Sequence, residues 1–234
     1  PTMNDPQPLA AILDIETMNL DMAAEGLSFS DPTGWLISCA CVHLQGLQNP
    51  REANLVYVRD YGQVVAHMGE VNDMTIRPLA ALYRDLSRWH KQKVPLITHN
   101  GTSFDLPILS KPMHEGGAGC AEEISRYAGD NLHIDTCARL FEQTGLRIHL
   151  STLCEMLLGT DPEDHKLMPA AEAPIAWSQS RYGEVIRYCI QDCILTGRVR
   201  DVALEQKSIT IKGHLPGQKR IRKVVIENVN FDLE

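Results

Sequence analysis

Apolar residues recur in short runs broken by glycine, proline and polar positions, and the spacing inside each run predicts its element. Leu9 to Ile15 (Leu-Ala-Ala-Ile-Leu-Asp-Ile) is near-continuously apolar and of strand length. That is the pattern of a central strand covered on both faces. Gly34 to Leu44 and Ala53 to Val58 are β-rich runs either side of a turn around Gly46–Arg51, which predicts a hairpin or meander. Residues 21–33 are small and polar and predict a loop. Pro78 to Lys91 carries Leu79, Leu82, Leu86 and Trp89 at helical spacing. Val94 to Thr98 predicts a short strand. Ser103 opens a helix to Ser110 with Pro107 in its first turn, where a missing N–H costs little.

His114 to Gly119 reads as a Gly-rich loop, and Leu132 to Ile134 as a brief strand. Asp135 is placed to cap the helix that follows, and Ser151 to cap another that ends at Gly159. Residues 160–178 hold three prolines and predict irregular chain. Tyr182 to Leu204 reads as one long helix. Residues 208–234 alternate apolar and polar positions, as in two strands around a basic Gly/Pro loop. Strands mixed with helices, three strands first, predict an α/β fold with a mixed central sheet flanked by helices. The expected divisions are a flexible lead-in at 1–8, one domain at 9–206 and a basic β-hairpin extension at 207–234, packed on that domain.

The composition adds limits. With 234 residues, 44 % hydrophobic and 22 % charged, the bulk of the chain is globular rather than disordered. No apolar run is long enough to span a bilayer. No charged-then-apolar leader opens the chain, so a cytoplasmic protein that meets no membrane is expected. Lys and Arg number 22 against 30 Asp and Glu, a net charge of −8. Bulk charge therefore disfavours nucleic acid, but leaves room for a local basic groove or a metal-mediated phosphate site. Cys39, Cys41, Cys120, Cys137, Cys154, Cys189 and Cys193 form no Cys-x-x-Cys pair. The expectation is reduced, partly buried thiols rather than disulfides or structural zinc.

Three carboxylate-bearing segments carry chemistry. Asp14 and Glu16 close the first strand as Leu-Asp-Ile-Glu-Thr, and residues i and i+2 of a strand share a face. Two like charges there repel and lose hydration unless a cation bridges them. Asp105 follows the strand at 94–98 and a glycine turn, which places it in a first helical turn at the carboxyl edge of the sheet. Tyr188 and Asp192 lie four residues apart on a predicted helix, hence on one face.

In order and context these segments resemble the DEDD exonuclease superfamily, which has an RNase H-like fold. Asp14-x-Glu16 matches its first motif, Asn100-x-x-x-Phe104-Asp105 its second, and Tyr188-x-x-x-Asp192 the third motif of the tyrosine subclass. The position a histidine subclass would use is Arg187. His133-Ile134-Asp135-Thr136, Leu150-Ser151-Thr152-Leu153-Cys154 and Arg187-Tyr188-Cys189-Ile190-Gln191-Asp192 extend the likeness to predicted bacterial exonucleases related to the proofreading domains of family B DNA polymerases, over roughly residues 9–205.

The resemblance implies a 3′–5′ exonuclease releasing nucleoside monophosphates, with two divalent cations, Mg²⁺ or Mn²⁺, bound by Asp14, Glu16, Asp105 and Asp192. Tyr188 would orient the attacking water. It further implies that Thr17, Met18, Asn19 and Leu20 meet the terminal 3′ nucleotide. Asn19 stands where many members have glycine. Leu20 is the first candidate for an apolar wedge and Met18 the second, with burial in the core the other reading of both. Phe104 either stacks on a base or packs in the core. Asn100 either anchors its turn or contacts the nucleotide. Asp135 reads as a helix cap rather than a ligand. His43, His67, His90, His149 and His214 read as surface or satisfied residues, and His165 as a residue near the cleft. Lys219, Arg220, Arg222 and Lys223 form the one dense basic stretch, either a solvated hairpin or a phosphate clamp. The expected partners are nucleic acid 3′ ends, single-stranded DNA before RNA. A processing subunit of a larger complex, a homo-oligomer and a non-catalytic end-binding protein are the alternatives.

Overall fold

The computed structural model describes residues 7–159, 166–206, 208–214, 221–227, 229 and 231, with the side chains of 211–214 and 221–223 outside that description. In chain order the elements are β1 (Ala10–Thr17), β2 (Ile37–Gln45), α1 (Pro50–Ala53), β3 (Asn54–Val58), α2 (Tyr61–Met68), β4 (Thr75–Pro78), α3 (Leu82–Lys91) and β5 (Leu96–Thr98). Then come α4 (Asp105–Ser110), α5 (Ala121–Gly129), β6 (His133–Asp135), α6 (Thr136–Thr144), α7 (Leu150–Leu157), α8 (Ala173–Ser178), α9 (Tyr182–Glu205), β7 (Ser208–His214) and β8 (Ile221–Glu227). Six strands form one mixed sheet in the order β4-β3-β2-β1-β5-β6. Only β2 runs against the other five.

The apolar run at 9–15 becomes β1, near the centre of this sheet, and its alternation sorts the two cores. Ala11, Leu13 and Ile15 pack with Leu82, Leu86 and Trp89 of α3, Ile108 and Leu109 of α4 and Tyr127 of α5. Ala10 and Ile12 face α9 through Val185, Ile186, Cys189 and Cys193. Asp14 and Glu16 continue the second set, so the period of two points both acids at α9. The register shifts between Glu16 and Thr17, where the pairing passes from Glu16–Cys39 to Thr17–Ile37. A bulge at this point ends the ladder beside the acids.

Two glycines fix the approach of the site-bearing elements. A Cβ at Gly197 would lie 2.5 Å from Cδ1 of Ile12, so the glycine lets α9 sit directly on β1. A Cβ at Gly101 would lie 2.3 Å from Oγ1 of Thr98, so the turn leaving β5 can fold back on that strand. The hairpin β7–β8 covers a third core through Ile209 and Ile226, joined by Val229 and Phe231 and packed on Leu140, Leu153, Leu195 and Val199.

Several sequence expectations are corrected. The helix expected from Ser103 begins at Asp105, after a turn over 101–104. The N-cap of α7 is His149, and Ser151 lies inside the helix. Part of 160–178 is helical, as α8; residues 160–165, with His165, lie outside the described residues, as do 1–6 of the lead-in. The turn at 46–51 runs into α1. The elements α2, β4 and α5 lie where the apolar spacing predicts none. No described helix is long and apolar enough to cross a membrane.

Candidate metal centre and cleft

Three elements bring the predicted acids together. β1 supplies Asp14 and Glu16, and α9 supplies Asp192; one carboxylate oxygen from each lies within 4.8 Å of the others. Asp105, the first residue of α4, lines the same cavity. Its Oδ1 accepts the backbone N–H of Ile15 at 3.1 Å, which ties the second segment to the first strand. Asp14 is half-buried, and the other three are withdrawn from solvent: Glu16 is 9 % exposed, Asp105 4 % and Asp192 3 %. Tyr188 sits one turn before Asp192, as its i−4 spacing requires, and faces the same cavity.

Burial raises the carboxyl of Asp14 well above the usual range, and the charges of Asp105 and Asp192 raise it further. Burial does the same to Glu16, with Asp14 the next cause, and to Asp192. Asp105 is pushed up to about 7 by burial, against the lowering effect of its own N–H and that of Ile15. Burial, then Glu16 and Asp192, hold the phenol of Tyr188 above the ordinary tyrosine range. It is a fixed hydroxyl, not a base. Cys189 donates its S–H to the Asp14 carbonyl at 3.4 Å and to Oδ2 at 3.6 Å.

Among the described residues one cation answers these acids, and nothing in the sequence pattern points to it. Lys166 precedes α8 in chain of no regular structure. Its Nζ pairs with Oδ2 of Asp192, lies 3.1 Å from the Tyr188 hydroxyl and sits 5.1 Å above the Tyr188 ring. Burial opposes its charge, but Asp192 and Asp14 outweigh burial and hold the ammonium above the usual lysine range. The other oxygen of Asp192, Oδ1, is buried with no hydrogen-bond partner. A buried, ionisable oxygen left open among three converging carboxylates is the donor set a hard divalent cation takes. The group could hold a metal ion.

The acids stand in a cleft of about 1010 Å³. Part of its lining is aromatic: Phe29, Trp35 and Phe104 touch pairwise, with ring centroids 5.1–5.6 Å apart. Phe104 meets both of its sequence readings, since it packs against the first core and also lines the cleft. Phe29, 64 % exposed, and Trp35 were missed, though an aromatic in a small polar loop is a signal the sequence carries. Thr17, Leu20 and Asn100 line the cleft, with Leu20 58 % exposed. Met18 takes the second of its two readings in part: it is half-buried and packs against the core on the α9 side of the sheet.

Asn19 holds the loop together. Its Oδ1 accepts the N–H of Leu36 at 2.7 Å and its Nδ2 donates to Glu25 at 2.6 Å. Asn100 has φ +67°, and its N–H donates to Asp135 Oδ1 at 2.8 Å, so it anchors its turn. Asp135 caps α6 through the N–H groups of Cys137 and Ala138 and also accepts that of Thr102. Of the basic stretch, Lys219 and Arg220 lie outside the described residues, and the backbone of Arg222 and Lys223 lies in β8. The cations placed at the cleft are Lys166 and Arg147, and His149 lines it too, although it was read as a surface or satisfied residue.

All seven cysteines are buried and unpaired in disulfides. Three of them come together although no Cys-x-x-Cys pair brings them there. Sγ atoms of Cys39, Cys41 and Cys189 lie within 4.8 Å of one another, beneath the acids. A period of two on β2 brings the first two to one face, opposite α9, an arrangement the Cys-x-x-Cys rule does not register. No protein-family model and no curated protein matches this chain.

Proposed function

We propose that this chain is a metal-dependent 3′–5′ exonuclease with an RNase H-like fold. It hydrolyses phosphodiester bonds at the 3′ ends of single-stranded or frayed nucleic acid, DNA before RNA, and releases nucleoside monophosphates. The observation that carries the reading is the meeting of Asp14, Glu16 and Asp192 in one cleft with an open buried oxygen on Asp192. Asp105 and Tyr188 line the same cleft. The strand order supports it, with β1 flanked by the antiparallel β2 on one side and parallel β5 and β6 on the other.

The donor set is all oxygen, which suits Mg²⁺ or Mn²⁺ rather than a softer ion. Asp14, Glu16 and Asp192 would hold one cation and Asp105, with Asp14, a second. Bound cations would supply Lewis acidity and a water made nucleophilic near neutral pH. The chain's own groups do the remaining work. Tyr188, kept protonated, orients the water through its hydroxyl. Phe29 and Phe104 offer ring faces on which bases stack, a contact that asks for unpaired bases and gives no sequence preference. Leu20, exposed beside Thr17, is placed to wedge the terminal base.

The test is digestion of one oligonucleotide labelled at either end, as DNA and as RNA, with Mn²⁺ and with EDTA. A 5′ label should give a descending ladder, and a 3′ label should leave at once as a mononucleotide. EDTA should stop both. Undiminished cutting in EDTA, or release from the 5′ end first, overturns the reading.

A further inference from the structure

The acid cluster carries its own cation, on a flexible side chain. Lys166 Nζ contacts Asp192 Oδ2 and lies 3.1 Å from the Tyr188 hydroxyl. Its positive charge acts on Asp14, Glu16 and Asp192 alike. The contact is lopsided, since Lys166 takes one oxygen of Asp192 and leaves Oδ1 buried and open. The backbone that bears it is in neither helix nor strand, and its side chain is 26 % exposed. An ammonium on a flexible four-carbon stem binds as a point charge and lacks the planar fork that locks an arginine onto a carboxylate.

We infer that Lys166 is a tethered counter-ion that occupies the acid cluster in the metal-free protein and must withdraw for the centre to load. The inference rests on the metal-binding half of the proposed function, not on its substrate. A divalent ion entering by Oδ1 of Asp192 meets the ammonium a few ångströms away. The two positive charges repel, and that repulsion is strong where water is excluded. The first ion therefore has to displace Lys166 from Oδ2 as well as shed its own water. This one side chain sets the divalent-ion concentration at which the site assembles. Below that concentration it neutralises part of a cluster that would otherwise push α9 away from β1.

Calorimetric titration of Mn²⁺ into the chelator-treated full chain tests this directly. Lys166→Met should bind Mn²⁺ about tenfold more tightly than wild type, a difference of ~1.4 kcal/mol. Lys166→Arg, which keeps the charge, should stay near wild type or bind more weakly. In EDTA the methionine variant should melt several degrees lower, and saturating Mn²⁺ should erase that gap. Binding by Lys166→Met that is equal to or weaker than wild type overturns the inference. Absence of Mn²⁺ binding by wild type overturns the metal reading itself, and the inference with it. A second measurement needs no variant. Acylation of Lys166 in the native chain, followed by peptide mass spectrometry, should rise several-fold on adding Mn²⁺ while other lysines hold steady. Unchanged reactivity at Lys166 in a chain that binds Mn²⁺ counts against withdrawal.

Discussion

Two groups of buried acids stand in this molecule, and they are solved in opposite ways. Asp135 gives its oxygens to four backbone N–H groups, those of Asn100, Thr102, Cys137 and Ala138. Asp85 is likewise complete, between Tyr57 at 2.7 Å, Arg88 at 3.1 Å and Arg77. Asp14, Glu16 and Asp192 instead face one another, with one lysine among them and one oxygen unpartnered. Burial alone does not separate the groups, since Asp135, Asp85 and Asp192 are all under a tenth exposed. Satisfaction does. The first group fixes the turn and the sheet edge, and the second keeps like charges close together with Lys166 as their partner.

The largest expected effect lies on the open group. Asp192→Asn should lower turnover of a single-stranded oligonucleotide about a thousandfold, the loss of ~4 kcal/mol of barrier lowering by a metal. A fall of less than tenfold would place Asp192 with the structural acids. The closed group should answer in stability. Asp135→Ala leaves four N–H groups without an acceptor and should cost ~3 kcal/mol in urea unfolding. A cost below ~1 kcal/mol would remove the distinction between the groups.

A third prediction concerns pH. His99 is buried, bonded to Thr136 Oγ1 at 2.9 Å and to the Ile148 carbonyl at 3.0 Å, and burial lowers it to about 4. The unfolded chain, near 6.5, takes up the proton first. The stability His99 confers is therefore full above pH 6.5 and drains away as pH falls towards 4, to a total of ~3 kcal/mol. Unfolding free energies at pH 7 and pH 4.5 for wild type and His99→Gln isolate this slope, because the other groups titrate equally in both. Equal slopes would show that His99 is not held neutral. The smallest effect carries the opposite sign. In chelator, Asp14→Asn should raise stability by ~1 kcal/mol, since it removes a repelled buried charge. Saturating Mn²⁺ should reverse the order, and a variant less stable than wild type in both conditions would contradict the comparison.

What could be read beforehand follows from local period. Leu9 to Ile15 showed β1 by its unbroken apolar run, and i,i+2 and i,i+4 spacing put Asp14 with Glu16 and Tyr188 with Asp192 before any fold was known. The unexpected elements give weak local signals. β4 is an edge strand, Thr-Ile-Arg-Pro, with no residue fully buried. α2 buries Val64 alone. α5 opens on Glu122 and Glu123 and fills its buried face with Glu123 and Tyr127, so its pattern reads as polar. Lys166 shows a different limit. It lies 26 residues from Asp192 in a proline-flanked stretch, and no helical or strand period links the two. The thiol group of Cys39, Cys41 and Cys189 joins a strand to a helix 148 residues later, which no spacing rule spans.

Gly197 gives the contact between α9 and β1 a consequence for how chains like this one should be compared. Asp192 lies five residues upstream on the same helix, roughly 7.5 Å along its axis. A Cβ at position 197 would lie 2.5 Å from Cδ1 of Ile12, the end of a side chain packed between β1 and α9. Either Ile12 turns aside within the core, or α9 shifts and carries Asp192 and Tyr188 with it. A divergent copy could keep all four acids and the tyrosine, spell every motif correctly, and still hold no metal. Where Ile12 has no room to turn aside, a single methyl group at 197 would move the acids apart while leaving every one of them in the sequence.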